Sequence, residues 1–210
     1  MKSGFNHFDI LYFINLECRP DRLEHITNEI NKTNIDKNKI HRINAFYTPH
    51  MGALGCSMSH IKALEQFLET PEDIQHCLIM EDDFEFTQEQ DVVNKLLDEF
   101  FNSGENYDVF TISTNIQKAQ PTKYPFLQKI IDAQALSGYC VHRNYAPILI
   151  ENYKESVKLL EEKGWDHYHC CDIHMKILQP NHNWYCIHPK IGKQMCNFSN
   201  IENKNVDYGV

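Results

Sequence analysis

The chain has 210 residues, 42% of them hydrophobic, and a formal charge of -9 from 29 Asp and Glu against 20 Lys and Arg. That length fits one domain with a sizeable core. The acidic balance excludes a protein that draws its affinity from neutralising nucleic-acid phosphates, while leaving room for a locally basic pocket. No apolar run reaches membrane-spanning length, and the opening Met1 to His7 lacks the apolar centre of a signal peptide. The expected compartment is therefore cytoplasmic or otherwise reducing, and the 8 cysteines read as buried thiols rather than a disulfide framework.

Along the chain, Phe8 to Asn15 is a near-continuous apolar run that predicts a strand buried on both faces. Pro20 and Asp21 open a helix with Leu23, Ile26 and Ile30 at helical spacing. Ile40 to Phe46 reads as a short strand. Thr48 to Gly55 reads as a loop on its Pro and Gly content, and Ser57 to Glu69 as a helix. Gln75 to Met80 is a second buried strand, stopping at Glu81-Asp82-Asp83. Val92 to Phe101 is helical and Tyr107 to Ser113 a strand, while Pro121 to Ala133 is ambiguous, with a strand after a loop as one reading. Asn144 is placed to cap a helix with Pro147 in its first turn and Gly164 at its end. Cys171 to Leu178 reads as a short helix, Trp184 to His188 as a last strand, and Lys190 to Val210 as a polar, irregular tail. Strands alternating with helices predict an α/β fold, a mainly parallel sheet with helices on both faces. Ligands on such sheets bind beyond the carboxyl ends of the strands, where Asn15 and the acidic triplet fall.

Two segments carry chemistry. Glu81-Asp82-Asp83 follows apolar Cys77 to Met80 without a spacer, and adjacent carboxylates repel, so they face water or a cation. If the backbone stays extended, Glu81 and Asp83 point to one side and suit a hard divalent ion with phosphate oxygens. A solvated acidic turn is the plain alternative. Gly52 to His60 runs from a glycine loop into a helix, where backbone approaches a ligand closely and the helix N-terminus favours anions. Ser57 or Ser59 suits a cap or a ligand hydroxyl. Cys56 and His60, four apart, can be neighbours on a helix, and read as a packed thiol and a hydrogen-bonded His rather than a catalytic dyad.

Together these stretches resemble glycosyltransferase family 25, the lipopolysaccharide-type and collagen galactosyltransferase-like enzymes. Phe13 to Arg22 is similar to its opening strand and Arg-containing turn, Gly52 to His60 to its Gly-x-x-Gly-Cys-x-x-Ser-His motif, and Leu78 to Asp83 to its strand ending in Glu-Asp-Asp. The order and spacing also agree. The resemblance implies a GT-A-type, Rossmann-like fold over residues 1–189, a UDP-sugar donor carrying a hexose (galactose or glucose), Mn²⁺ or Mg²⁺, inversion at the anomeric carbon, and a hydroxyl acceptor on a glycan or protein.

On that footing Asp83, with Glu81 helping, is expected to hold the ion that stabilises the diphosphate leaving group. His188, at the end of the last strand, is the candidate third ligand; an ordinary strand-end His is the alternative. Asn15 and Arg22 are candidates for the uracil–ribose pocket and the diphosphate, joined by Gly55 and Ser59, and Asp82 for the ribose or the turn. Asp172 is the candidate general base, or an N-cap. Gln194 to Glu202 is a candidate lid. Trp165, Tyr168 and Trp184 line an acceptor groove or fill the core. The His167, His169, Cys170, Cys171, His174 cluster lacks zinc-site spacing. Two other readings stay open: a catalytically inactive relative that binds a nucleotide-sugar or glycan, and a metal-dependent phosphoesterase.

Overall fold

The side chains of Ile10 to Ile14 are all buried, and they divide by parity. In the computed structural model, which describes residues 2–199 and 204–206, Ile10, Tyr12 and Ile14 enter one apolar cluster and Leu11 and Phe13 another. A strand alternates its side chains between two faces, so an unbroken apolar run requires a cover on each. Strand β1 (Ile10–Asn15) and β3 (His76–Glu81) are built this way. Helices α2 (Gly52–Glu69) and α4 (Ala146–Lys163) with the short α5 (Cys171–His174) cover one face, through residues such as Leu64, Phe67, Leu149 and Tyr153. Helices α1 (Pro20–Asn31) and α3 (Gln90–Asn102) cover the other, through Ile26, Ile30, Val93 and Leu97.

With β2 (Ile40–Asn44), β5 (Val109–Pro121), β6 (Leu127–His142) and β7 (Trp184–Ile187), the strands form one six-stranded sheet in the order β2-β1-β3-β6-β5-β7. Pairs β1–β2, β1–β3 and β5–β7 are parallel, and β6 runs antiparallel to its neighbours β3, β5 and β7. The mainly parallel α/β architecture expected from the sequence is the observed one. The carboxyl ends of β1 and β3 lie side by side, Ile14 opposite Glu81.

The ambiguous 121–133 stretch is a strand after a loop, the turn and second strand of a long β5–β6 hairpin. Several other local expectations are corrected. Helix α2 starts at Gly52, so both glycines expected in a loop are helical. Asn144 does not cap α4: His142 Nδ1 accepts the Asn144 N–H and caps a separate 3-10 turn before the helix. The short helix ends at His174 and continues as a 3-10 turn, Met175–Ile177. The tail is not wholly irregular. Strand β8 (Gly192–Gln194) pairs antiparallel with β4 (Phe84–Phe86), and β9 (Asn197–Ser199) pairs with β10 (Lys204–Val206). Part of the expected lid, 200–202, lies outside the described residues. No helix among the described residues is long and apolar enough to cross a membrane. All eight cysteines are free thiols; Cys18 and Cys196 are exposed, and Cys77, Cys140, Cys171 and Cys186 are buried.

Candidate active site

Parity along β3 decides where its terminal acid goes. Cys77 and Ile79 face α2, so Glu81 continues onto that face. There its Oε1 lies 3.0 Å from His60 Nε2 and accepts a longer bond, 3.8 Å, from the Cys56 thiol. The strand ends at Glu81, and Asp82-Asp83 form a turn into β4. The backbone is therefore not extended across the triplet, and the expected alignment of Glu81 with Asp83 is lost. Asp82 and Asp83 instead meet Arg22 of α1, whose Nη1 donates to Asp82 Oδ1 at 2.9 Å and to Asp83 Oδ2 at 3.1 Å.

Each remaining partner comes from a different element. Asn15, buried at the end of β1, donates to Asp82 Oδ2 at 2.7 Å and accepts from Arg42 of β2 at 2.7 Å. Gln194 of β8 donates to Asp83 Oδ2 at 3.0 Å, and the Met195 N–H to the Asp83 carbonyl at 2.7 Å. Gly192 permits this approach: a Cβ there would meet the Phe84 ring at 2.3 Å. Asp83 Oδ1 is buried and has no hydrogen-bond partner among the described residues. Burial, then the negative charge of Glu81, push the Asp83 carboxyl up to about 7, against the pull of Arg22. Burial also raises Asp82 despite Arg22 and Asn15. Burial opposes the charge on Arg22, but Asp83 and Asp82 outweigh it and hold the guanidinium protonated. One cation thus faces more buried negative charge than it offsets.

These groups line a cleft of about 480 Å³ over the carboxyl ends of β1 and β3. Asn15, Arg22, Gly55, Ser59, Glu81, Asp82 and Asp83 all border it, with exposed Phe46, Tyr47 and Trp165 around it. Gly55 and Ser59 shape its wall rather than offer free groups. The Gly55 N–H donates to Thr48 Oγ1 at 2.9 Å, and a Cβ there would meet Phe46 O at 2.4 Å. Ser59 Oγ donates to Gly55 O at 2.6 Å and accepts the Phe46 N–H at 2.9 Å, pinning the 45–48 segment to α2.

A second cavity of about 170 Å³ adjoins, sharing Cys56, His60, Glu81, Trp165 and Gln194 with the cleft. Asp172 borders this one. It sits inside the first turn of α5, whose N-cap is Cys170, so it is not the cap. Its Oδ2 accepts the N–H of Ala135 at 3.3 Å, and Ala135 has a positive φ of 59°. A left-handed alanine costs about 1–2 kcal/mol, and the bond to Asp172 helps hold it. Burial raises the Asp172 carboxyl above the usual carboxylate range.

His188 is not brought to the site. It is exposed, follows β7 at the far edge of the sheet, and donates its N–H to Phe126 O at 2.8 Å. His188 borders neither the cleft over β1 and β3 nor the smaller cavity described above. Gln194, the first residue of the expected lid, is the residue that returns from the segment after β7, although nothing in the sequence indicated that it would bond Asp83. The role of Arg42 was equally hidden, since it depends on cross-strand register. Trp184 is fully buried in the core, whereas Trp165 is 64% exposed at the rim of both cavities.

Comparison with known proteins bears on the family and the fold. Residues 39–163 match the family model described as glycosyltransferase family 25 (LPS biosynthesis protein), a span that includes α2, β3 and the acidic turn. No curated protein matches. Among solved structures, a glycosyltransferase involved in the glycosylation of the major capsid of PBCV-1 is similar, with TM-score 0.52 and 13% identity over 92% of this chain and 96% of that one. A mannose-1-phosphate geranyltransferase from Thermus thermophilus aligns with TM-score 0.46 and 7% identity, covering 89% and 73% of the two chains. The former shares the fold. With the family model spanning more than half the chain, from β2 through α4, the protein belongs to glycosyltransferase family 25, enzymes that move a sugar from a donor to an acceptor.

Proposed function

We propose that the chain transfers a hexose from a UDP-sugar to a hydroxyl of a glycan or protein, with inversion and with help from a divalent cation. The observation that carries this reading is Asp83: a cleft-lining carboxylate with one buried oxygen left without a partner among the described residues. Such an oxygen is costly unless a ligand meets it, and a hard, oxygen-preferring ion such as Mn²⁺ or Mg²⁺ fits it. Asp83 would hold the ion, which when bound supplies Lewis-acid stabilisation of the diphosphate leaving group. Glu81, engaged with His60, contributes charge rather than a shared coordination site.

The chain's own residues do the rest. Arg22, held charged by Asp82 and Asp83, sits at the cleft to meet phosphate oxygens. Asn15 fixes Asp82 in place, and Phe46 and Tyr47 flank the cleft with faces on which a base can stack. The acceptor enters by the smaller cavity, past Trp165. As the bond from the anomeric carbon to the phosphate oxygen breaks, the acceptor oxygen bonds to that carbon from the opposite side, and its proton passes to the Asp172 carboxylate. Burial of Asp172 raises its basicity for that task. The direct test is UDP release from a panel of UDP-sugars, with Mn²⁺ and with chelator. Metal-dependent release that disappears in Asp83→Ala, with folding intact, supports the reading. Full activity in that variant removes the cation from it. Tight UDP-sugar binding with no release under any condition favours the inactive binding relative.

A further inference from the structure

The wall between the two cavities carries a donor set of which the proposed sugar transfer uses only the charge of Glu81. Cys56 and His60 share one face of α2 through their i, i+4 spacing, and the parity of β3 sets Glu81 against them. His60 Nε2 lies 3.0 Å and Cys56 Sγ 3.8 Å from Glu81 Oε1, and the three ligand atoms all lie within 4.8 Å of one another. A tetrahedral ion with bonds of about 2.0–2.3 Å needs its ligands about 3.3–3.7 Å apart. The observed separations bracket that range, so closing around an ion requires side-chain adjustments of about an ångström or less.

His60 is already oriented for the purpose. Its Nδ1 is 2.8 Å from the hydroxyl of fully buried Tyr139, which leaves Nε2 for a ligand and fixes the ring, as the outer partners of metal-bound histidines do. The Cys171 thiol borders the smaller cavity together with Cys56, a further sulfur close to the same position. Sulfur, imidazole and a single carboxylate oxygen form a borderline-soft set that suits zinc-class ions and not Mg²⁺ or Mn²⁺. All three side chains border both cavities, so a fourth position opens to the cleft, an arrangement found where such ions stay accessible.

We propose that Cys56, His60 and Glu81 form a binding site for a zinc-class divalent ion, separate from the hard-cation position at Asp83. Binding displaces the thiol proton of Cys56 and any proton on His60 Nε2. The test uses the metal-free full chain titrated with Co²⁺ as a spectroscopic probe. The expected result is a thiolate-to-cobalt charge-transfer band with tetrahedral visible bands at one equivalent, displaced by Zn²⁺ and retained in Asp83→Ala. The charge-transfer band should vanish in Cys56→Ser, and the affinity should fall at least about tenfold in His60→Gln. Retention in Asp83→Ala also separates this site from the sugar-transfer reading, which fails or stands on UDP release alone. Absence of a thiolate band, or a band that survives Cys56→Ser, overturns the proposal. Should Cys56→Ser not fold, Glu81→Gln serves in its place, and unchanged affinity there counts against the site equally.

Discussion

Replacing Asp83 by Asn should stabilise the protein while ending the metal-dependent sugar transfer proposed for it. The Asp83 carboxyl is pushed from 3.8 to about 7 by burial and by Glu81. Between those values the folded chain holds a proton that the unfolded chain has released, so stability falls as pH rises through the window and the full cost is present above it. About three pH units at about 1.4 kcal/mol each make that cost about 4 kcal/mol at about pH 8. Asn escapes it, but sets its amide nitrogen where Asp83 Oδ1 has no partner, and an unsatisfied buried donor costs about 1–3 kcal/mol. The variant should therefore be about 1–3 kcal/mol more stable than the parent at about pH 8 in chelator and nearly equal to it at about pH 5, the gap widening by about 2–3 kcal/mol between them. Urea denaturation at the two pH values measures this. A variant less stable at the higher pH, or a gap indifferent to pH, refutes the picture of an over-crowded acidic turn.

Gly55→Ala should cost about 2–3 kcal/mol and weaken UDP binding, because its Cβ would meet Phe46 O at 2.4 Å and Thr48 Oγ1 at 2.5 Å and push the cleft wall outward; denaturation and calorimetric titration with UDP check both. Asp172→Asn should lower kcat for transfer by about 100-fold or more with donor affinity unchanged, since the amide cannot accept the acceptor's proton; steady-state kinetics with a working acceptor decides. Trp165→Ala should leave stability within about 0.5 kcal/mol, as its ring is largely exposed, and raise KM for the acceptor more than for the donor. His76 is held down to about 4 by burial, so it stays neutral in the fold while the unfolded chain takes up a proton below about 6.5. Its contribution is complete above that value and is lost as pH falls toward about 4, by about 2–3 kcal/mol; His76→Gln should flatten this part of the pH–stability curve.

Glu81, Asp82 and Asp83 show how far sequence reasoning reached. Their location at the end of a buried strand followed from the apolar run before them, because a run buried on both faces can stop only at an edge of the sheet. Their directions did not follow, because the period-two rule holds only while the backbone is extended, and it turns after Glu81. His188 failed for a related reason: the end of a strand says which edge of the sheet it reaches, not how many strands away it lies.

The amino-acid order by itself determined the alternation of strands and helices, the two-sided sheet, and the edge at which polar and acidic groups collect, since each depends on periodicity over neighbouring residues. Tertiary structure alone decided which groups share that edge. Asn15 with Arg42, Arg22 with the acidic turn, His60 with Tyr139 and Glu81, and Gln194 with Asp83 are contacts between distant segments. Strand order, register and one turn set these distances, and none of the three is a property of any local stretch of sequence.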